Sequence, residues 1–322
     1  MLGAGATLGP PGAAAQAPSH GPLTYEEGSP LHRVSYTATM ETAAPLPRGR
    51  VAAELWLGYS NIFEQDSSAT HMVFIDLERL ASTVTLRWGA TDRLEVGGRV
   101  LLETTGPGFL DGAIRRWHEL FGFGQANRDQ FPEGRYAQFL GGGGDTVYLD
   151  VPRAALAFED MRLFAKLLAH ASPDGRNVLS ARAEARIPGG SNPAAGERVD
   201  FALALLGRVG RGHWFVHGMV GASTLRASEE LEPILRDAST FLTLSLERSF
   251  GSFSAVAQYQ VQSPVLRSFD HRELDRSPSN LVLGMSGALG ERWHWDASFQ
   301  EDLPSDTPAI DFTLGLRVSR SW

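Results

Sequence analysis

The sequence predicts an all-β protein, a transmembrane antiparallel β-barrel of about fourteen strands, with twelve or sixteen as the neighbouring solutions, and one short helix in a long insertion. Three observations carry this. Apolar and polar residues alternate with period two through most of the chain, the alternating runs are about ten residues long, and the connections between them alternate between short and long. Ten residues is the length of a tilted strand that crosses a hydrocarbon layer, whereas strands of soluble sheets centre on about five or six. A membrane barrel has tight turns on its periplasmic side and longer loops outside, which a soluble sandwich does not require.

The first twenty residues are rich in Gly, Ala and Pro and contain Ala13-Ala14-Ala15 and Ala15-Gln16-Ala17, small-residue patterns like those before a signal-peptidase cut. They lack a basic start, so residues 1–20 read as a residual signal peptide or a disordered tail, and residues 21–322 as one barrel. Strands are expected over 33–41, 50–60, 70–75, 81–89 and 94–103, then, beyond an insertion near 104–158, over 160–169, 177–187, 199–209, 213–224, 238–248, 253–262, 280–289, 293–302 and 309–319. The last is the clearest: Ile310, Phe312, Leu314, Leu316 and Val318 alternate with Asp311, Thr313, Gly315, Arg317 and Ser319. A further strand within 147–158 would raise the count. Short connections fall at 91–93, 172–175, 210–212, 250–252 and 290–292. Long ones rich in Pro, Gly, Ser or charge fall at 188–198, 225–237, 263–279 and 303–308. With an even strand number both termini lie in the periplasm. Tyr59, Trp88, Trp214, Trp293, Trp295 and Trp322 stand near strand ends, where amphipathic rings favour the headgroup level.

Other classes fall away. No run approaches the roughly 18 consecutive apolar residues of a membrane-spanning helix. The chain has no cysteine, which removes disulfides, thiol nucleophiles and thiolate metal sites. Its net charge is −8 and its arginines alternate with acids, with Lys166 the lone lysine, so no basic stripe is available to displace phosphate counterions and no nucleic-acid partner is expected.

Three segments resemble a family of uncharacterised bacterial outer-membrane proteins, the domain of unknown function 3187 family. They are Gly21-Pro22-Leu23 followed by Ser29-Pro30-Leu31, then Thr91-Asp92-Arg93-Leu94-Glu95-Val96-Gly97, and Phe109-Leu110-Asp111-Gly112-Ala113-Ile114 leading to Trp117-His118. The resemblance implies a single-chain barrel in the bacterial outer membrane and carries no activity or functional residue. The C-terminus, an alternating strand ending in Trp322, is similar to the assembly signal of outer-membrane proteins, with Arg320 departing from it. The expected partners are outer-membrane lipid and, through that strand, the assembly machinery.

Function is sought on the polar strand faces, which in a barrel line the lumen. These place Glu95, Arg99 and Glu103, Arg162 and Lys166, Arg182, Glu184 and Arg186, Glu247, Asp296, Asp311 and Arg317 inside. Mixed charges in a confined lumen either form a constriction that passes small polar solutes or fill the interior with ion pairs. The expected function is therefore a passive or gated channel for small solutes. The alternative is a non-conducting structural or adhesive envelope protein. The segment 109–121 is the one convincing helix, with Leu110, Ile114, Trp117 and Phe121 on one face and Arg115, Arg116, His118 and Glu119 on the other. It is read as a gate folded into the barrel mouth, or as a helix lying apolar face down on the membrane surface.

Enzymatic readings are weaker. His213 and His217, four apart on a strand, are separated by roughly 13 Å, too far to chelate one metal. His294, Asp296 and Ser298 share a face but are spaced too widely for a direct triad, and no Gly-x-Ser-x-Gly elbow occurs, so an outer-membrane esterase is a remote alternative and no enzyme is expected. No cofactor is implied.

Overall fold

The computed structural model describes residues 18–322 apart from 27, 30–36, 123–129, 143–145, 151–152, 190–197, 227, 230, 268–274 and 303–311. The wall begins with β1 (Val51–Ser67), β2 (Met72–Gly89) and β3 (Leu94–Gly106). Helix α1 (Asp111–Phe121) and the short strands β4 (Ala137–Gly141) and β5 (Val147–Asp150) follow. The wall resumes with β6 (Ala157–Ala171), β7 (Val178–Pro188), β8 (Asp200–Arg211), β9 (Trp214–Thr224) and β10 (Ala238–Ser249). It ends with β11 (Phe253–Gln262), β12 (Ser279–Leu289), β13 (Trp293–Asp302) and β14 (Phe312–Ser321).

Every pairing is antiparallel, and β1 pairs with both β14 and β2, so twelve strands close on themselves. Strands β4 and β5 lie outside this ring, extending from the far end of β2. The described strands thus number fourteen, but two are not those expected. The runs 70–75 and 81–89 are one continuous strand, because the intervening Asp76–Leu80 stretch pairs without a break to β1. Of the run 33–41, the described part, from Thr37, is not in the wall but is irregular backbone inside the barrel, and 33–36 lie outside the described residues. Alternation of small and apolar side chains there reflects a chain packed on two sides, which mimics strand periodicity without a ladder.

Facing direction follows from burial. Leu55, Leu57, Val84, Leu86, Leu163, Leu203, Leu205, Val220, Leu244, Leu316 and others are exposed, while the residues between them are buried. An apolar belt of this extent would aggregate in water and is satisfied by lipid. The barrel is inverted relative to a soluble fold, apolar outside and polar inside. The short turns, several with glycine at positive φ (Gly175, Gly212, Gly251, Gly290), gather at one end, where the chain's return is tied by Trp322 N–H donating to the Val51 carbonyl. That end is periplasmic.

One inward aromatic shows how tightly the wall is fitted. Trp56 is buried with Ala81 and Leu101, and its indole lies across Gly58. A Cβ at Gly58 would stand 2.2 Å from the ring. Gly58→Val should therefore displace Trp56 and destabilise the barrel by about 1–3 kcal/mol, the usual cost of overpacking. The check is the midpoint of the heat-induced gel shift, which should fall.

Candidate functional site: a polar lumen and the segment that fills it

Of the polar set, Glu95, Arg99, Glu103, Arg162, Lys166, Arg182, Glu184, Arg186, Glu247 and Asp296 face inward and are buried, and Arg317 lies there with only slight exposure. Asp311 lies outside the described residues. The wall pairs some of these charges itself. Arg79 meets Glu103 at 2.5 Å, Arg186 meets Asp200, Arg182 meets Glu184, and Arg317 meets Asp296 at 2.6 Å and Glu54 at 3.3 Å.

The strand register exposes an imbalance that this pairing does not remove. Arg99 stands directly opposite Arg162, Arg162 opposite Arg186, and Lys166 opposite Arg182. Like charges across a ladder repel. Asp160 and Asp200 neutralise part of the row, and the rest comes from the N-terminal segment, which sequence reasoning placed in a tail and a strand. Glu26 bridges Arg99 at 2.6 Å and Arg162 at 3.1 Å. Glu41 meets Arg182 at 2.6 Å and Lys166 at 3.4 Å, with Arg87 further off at 3.8 Å.

The described parts of the segment form two legs within the lumen. One leg rises from the periplasmic end, where Glu247 accepts hydrogen bonds from Ser19 Oγ (2.7 Å), the His20 backbone N–H (2.7 Å) and Ser254 Oγ (2.6 Å) while facing His217 Nε2 at 2.8 Å. Higher up, Leu23 packs with Val256 and Val282, and the Tyr25 hydroxyl accepts from Asn280 Nδ2 at 2.9 Å. The other leg descends from Thr37, whose hydroxyl donates to Gln262, to Ala43, whose carbonyl accepts from Ser180 Oγ, and to the Leu46 N–H, which donates to Glu95. Thr39 joins the legs by donating to Glu26 at 3.1 Å. So Ser19 and His20, assigned to the tail 1–20, belong to the lumen, while residues 1–17 lie outside the described residues.

Burial raises the Glu41 carboxyl, but Arg182, Lys166 and Arg87 outweigh it and hold the group down at about 2. A cavity of about 200 Å³ lies beside the segment toward the periplasmic end, with Arg87, Arg99, Arg317, His20 and His294 among its lining.

The extracellular end is closed differently. Ile62, Val73, Ile75 and Leu77 on the inner faces of β1 and β2 pack with Leu140 of β4 and with Leu225, Leu231, Leu235, Val265 and Leu266 from the loops after β9 and β11. In the ring order those loops stand opposite β1 and β2, so the cluster spans the mouth. Residues 235 and 266 form a β-bridge that zips the two loops together.

Helix α1 is not at that mouth, which corrects the gate reading. It caps the outer side of the wall: Asp111 accepts from Asn61 Nδ2 at 3.1 Å, and the Phe109 and Leu110 N–H groups donate to Glu78, both wall residues facing outward. Ile114 is buried and Leu110 partly so, whereas Trp117 is exposed and approaches outward Phe299 with ring centroids 6.3 Å apart. Phe121 ends the helix. The displacement has a physical cause: β1 and β2 carry an outward polar patch, Asn61, Asp76 and Glu78, that cannot face lipid bare, and the helix start covers it. His217, read with His213 as a failed metal pair, instead faces Glu247.

A closed twelve-strand wall with an apolar exterior and a filled polar interior defines a bacterial outer-membrane β-barrel. The chain belongs to the family described as protein of unknown function (DUF3187), which it matches over residues 11–320. Among solved structures it is similar to the COG4313 outer membrane channel from Pseudomonas putida F1, at 15% identity and a TM-score of 0.54, covering 87% of this chain and 98% of that one. The KdgM porin (6% identity, TM-score 0.41, 84% and 99% covered) and the translocator domain of the autotransporter NalP from Neisseria meningitidis (11%, 0.42, 86% and 89%) are more distant. No curated protein matches the chain.

Proposed function

We propose that this barrel is a gated channel for small polar solutes, closed in the present conformation by the luminal N-terminal segment and by the apolar bridge across its outer mouth. The observation that carries the reading is that the segment filling the lumen is not part of the wall. Two of its carboxylates, Glu26 and Glu41, complete an arginine-rich surface that would otherwise face water and solute. A wall selected only for rigidity has a simpler solution, since buried ion pairs are often no more stabilising than apolar packing. The two closures lie in series, so both must yield before ions pass. The COG4313 protein that shares this fold is an outer membrane channel, which agrees with this reading.

A second reading has its own support: the density of ion pairs and the apolar bridge together suit a permanently sealed structural barrel. Planar-bilayer recordings separate the two. The parent is expected to give no steps. A chain lacking residues 18–46 and carrying Leu231→Ser and Leu235→Ser is expected to give discrete ones. Silence from that chain, with its heat-resistant barrel intact, favours the sealed structural role.

A further inference from the structure

The cations of the lumen and those of the outer rim are treated differently by the fold. Among the described residues, the inward guanidiniums of Arg79, Arg99, Arg162, Arg182, Arg186 and Arg317 each have a carboxylate within 3.5 Å. On the outward face of the periplasmic rim stand Arg211, Arg248 and Arg320, for which no carboxylate partner is found among the described residues although the chain carries eight more negative than positive charges. What they have instead is aromatic rings. Arg248 lies over Trp214 at 5.2 Å and over Phe250 at 5.1 Å, and Arg320 over Trp293 at 5.3 Å and Trp322 at 5.1 Å.

Register sharpens one of these into a site. Arg211 pairs across the ladder with Trp214, and Trp214 with Arg248, so the three occupy one row on β8, β9 and β10 with Trp214 between the two arginines. Adjacent strands are about 4.8 Å apart, which places the two arginine backbones roughly 10 Å from each other. Long guanidinium side chains reach a common point over that distance, above the ring. A surface groove is lined by these residues together with Gly212, His213, Ser249 and Phe250, and the rings of Trp214 and Phe250 are half exposed.

We propose that Arg211, Trp214 and Arg248 form a seat for one anionic phospholipid of the periplasmic leaflet, with the phosphodiester held between the guanidiniums and the upper acyl chain against the rings. The site's depth fits, because the row is the last of each strand before the short turns and so stands at headgroup level. Its chemistry fits, because guanidinium forms bidentate hydrogen bonds to phosphate oxygens and an aromatic face orients the cation. The charge selects phosphatidylglycerol over phosphatidylcholine: with two cations and no acid beside them, a headgroup bearing its own ammonium is repelled. This seat lies on the outside of the wall and stands whether or not the lumen conducts.

The test uses the full chain in nanodiscs of phosphatidylcholine doped with a minor fraction of phosphatidylglycerol, ejected intact in a native mass spectrometer. The parent should retain phosphatidylglycerol in excess over its share of the bilayer. Arg211→Gln with Arg248→Gln should lower that retention about tenfold or more, since each basic residue near an anionic surface contributes on the order of 1 kcal/mol. Leu244→Ala, on the same face at mid-depth, should leave it unchanged, and added inorganic phosphate should not compete. Folding of each variant is read from its heat-modifiable gel migration. Should the double variant fail to fold, a phosphatidylglycerol carrying a photoreactive headgroup is applied to the parent, and its adducts should map to residues 211–214 or 248–250. Retention no greater than the bilayer share, retention unaltered in the folded double variant, or adducts elsewhere on the wall would overturn the proposal.

Discussion

Glu26→Gln combined with Glu41→Gln is expected to expel the N-terminal segment from the lumen. Each substitution keeps the shape of the side chain and removes the charge that holds two or three buried cations. Breaking one partner of a buried ion pair costs about 3–5 kcal/mol when the remaining charge stays dry. Here the loss is capped, because water enters the lumen once the segment leaves, so on the order of 2 kcal/mol per site is the reasonable expectation. The two together exceed what the flanking anchors at Ser19, His20 and Leu46 can hold. The chain has no native cysteine, so Ala38→Cys, at a buried position outside the ion pairs, gives a clean reporter. Its labelling by a maleimide at neutral pH should rise at least tenfold in the charge-neutralised background. Unchanged labelling would mean that packing of Leu23, Tyr25 and Met40, and not charge, fixes the segment.

The pH dependence of docking follows from the same carboxylate. Glu41 is held at about 2 in the folded state, below its ordinary value of 4.5. A depressed carboxylate contributes stability that is fully present above the ordinary value and is lost as pH falls through the folded one. The segment should therefore remain docked through pH 5 and loosen only as the pH falls from about 4.5 toward about 2. Cleavage by pepsin across that range reads it directly, and loosening that starts near neutrality would point to another group.

The second large effect concerns the outer mouth. Leu231 and Leu235 are almost fully buried in the apolar bridge, and Leu231→Ser with Leu235→Ser removes about 1.5–3 kcal/mol of burial at each position. The loops are otherwise joined by backbone hydrogen bonds, including Arg236 N–H to the Val265 carbonyl and Arg267 N–H to the Ile234 carbonyl, and by the exposed Arg236 and Arg267 side chains, which donate to the Leu266 and Leu235 carbonyls. Those do not hold a loop whose apolar anchor is gone. Trypsin should then cut the intact, heat-resistant barrel after Arg226 or Arg236 faster than it cuts the parent. The wall itself should be unaffected, because its ladder does not depend on the loops. Loss of the heat-resistant band would show instead that the bridge is part of the barrel's own stability.

The wall was legible because its rule is local. Period two, strand length and the alternation of turn lengths are each set by neighbours in sequence, so Leu314, Leu316 and Val318 announce their direction without reference to any other strand. The inward charges were legible for the same reason. The filling of the lumen was not, because nothing local distinguishes Thr37-Ala38-Thr39-Met40-Glu41 from a strand. It is the cross-strand row of Arg99, Arg162 and Arg186 that calls for an acid from elsewhere, and that row exists only once the register is known. The helix is a related case. Its amphipathic face is plain in sequence, but which side of the wall receives it depends on Asn61, Asp76 and Glu78 turning outward, a property of β1 and β2 and not of the helix.

The two legs of the N-terminal segment have a topological consequence. Its described legs both run to the periplasmic mouth, one at Ser19 and His20 and the other at Leu46, where the chain passes into β1. Among the described residues nothing is threaded from one mouth to the other: the legs 18–29 and 37–46 open on the same mouth, as a loop tucked into a tube does. Such a loop can be drawn out and returned without parting any strand from its neighbour. Occlusion and release then exchange side-chain contacts alone, and the hydrogen-bonded cylinder stays whole throughout.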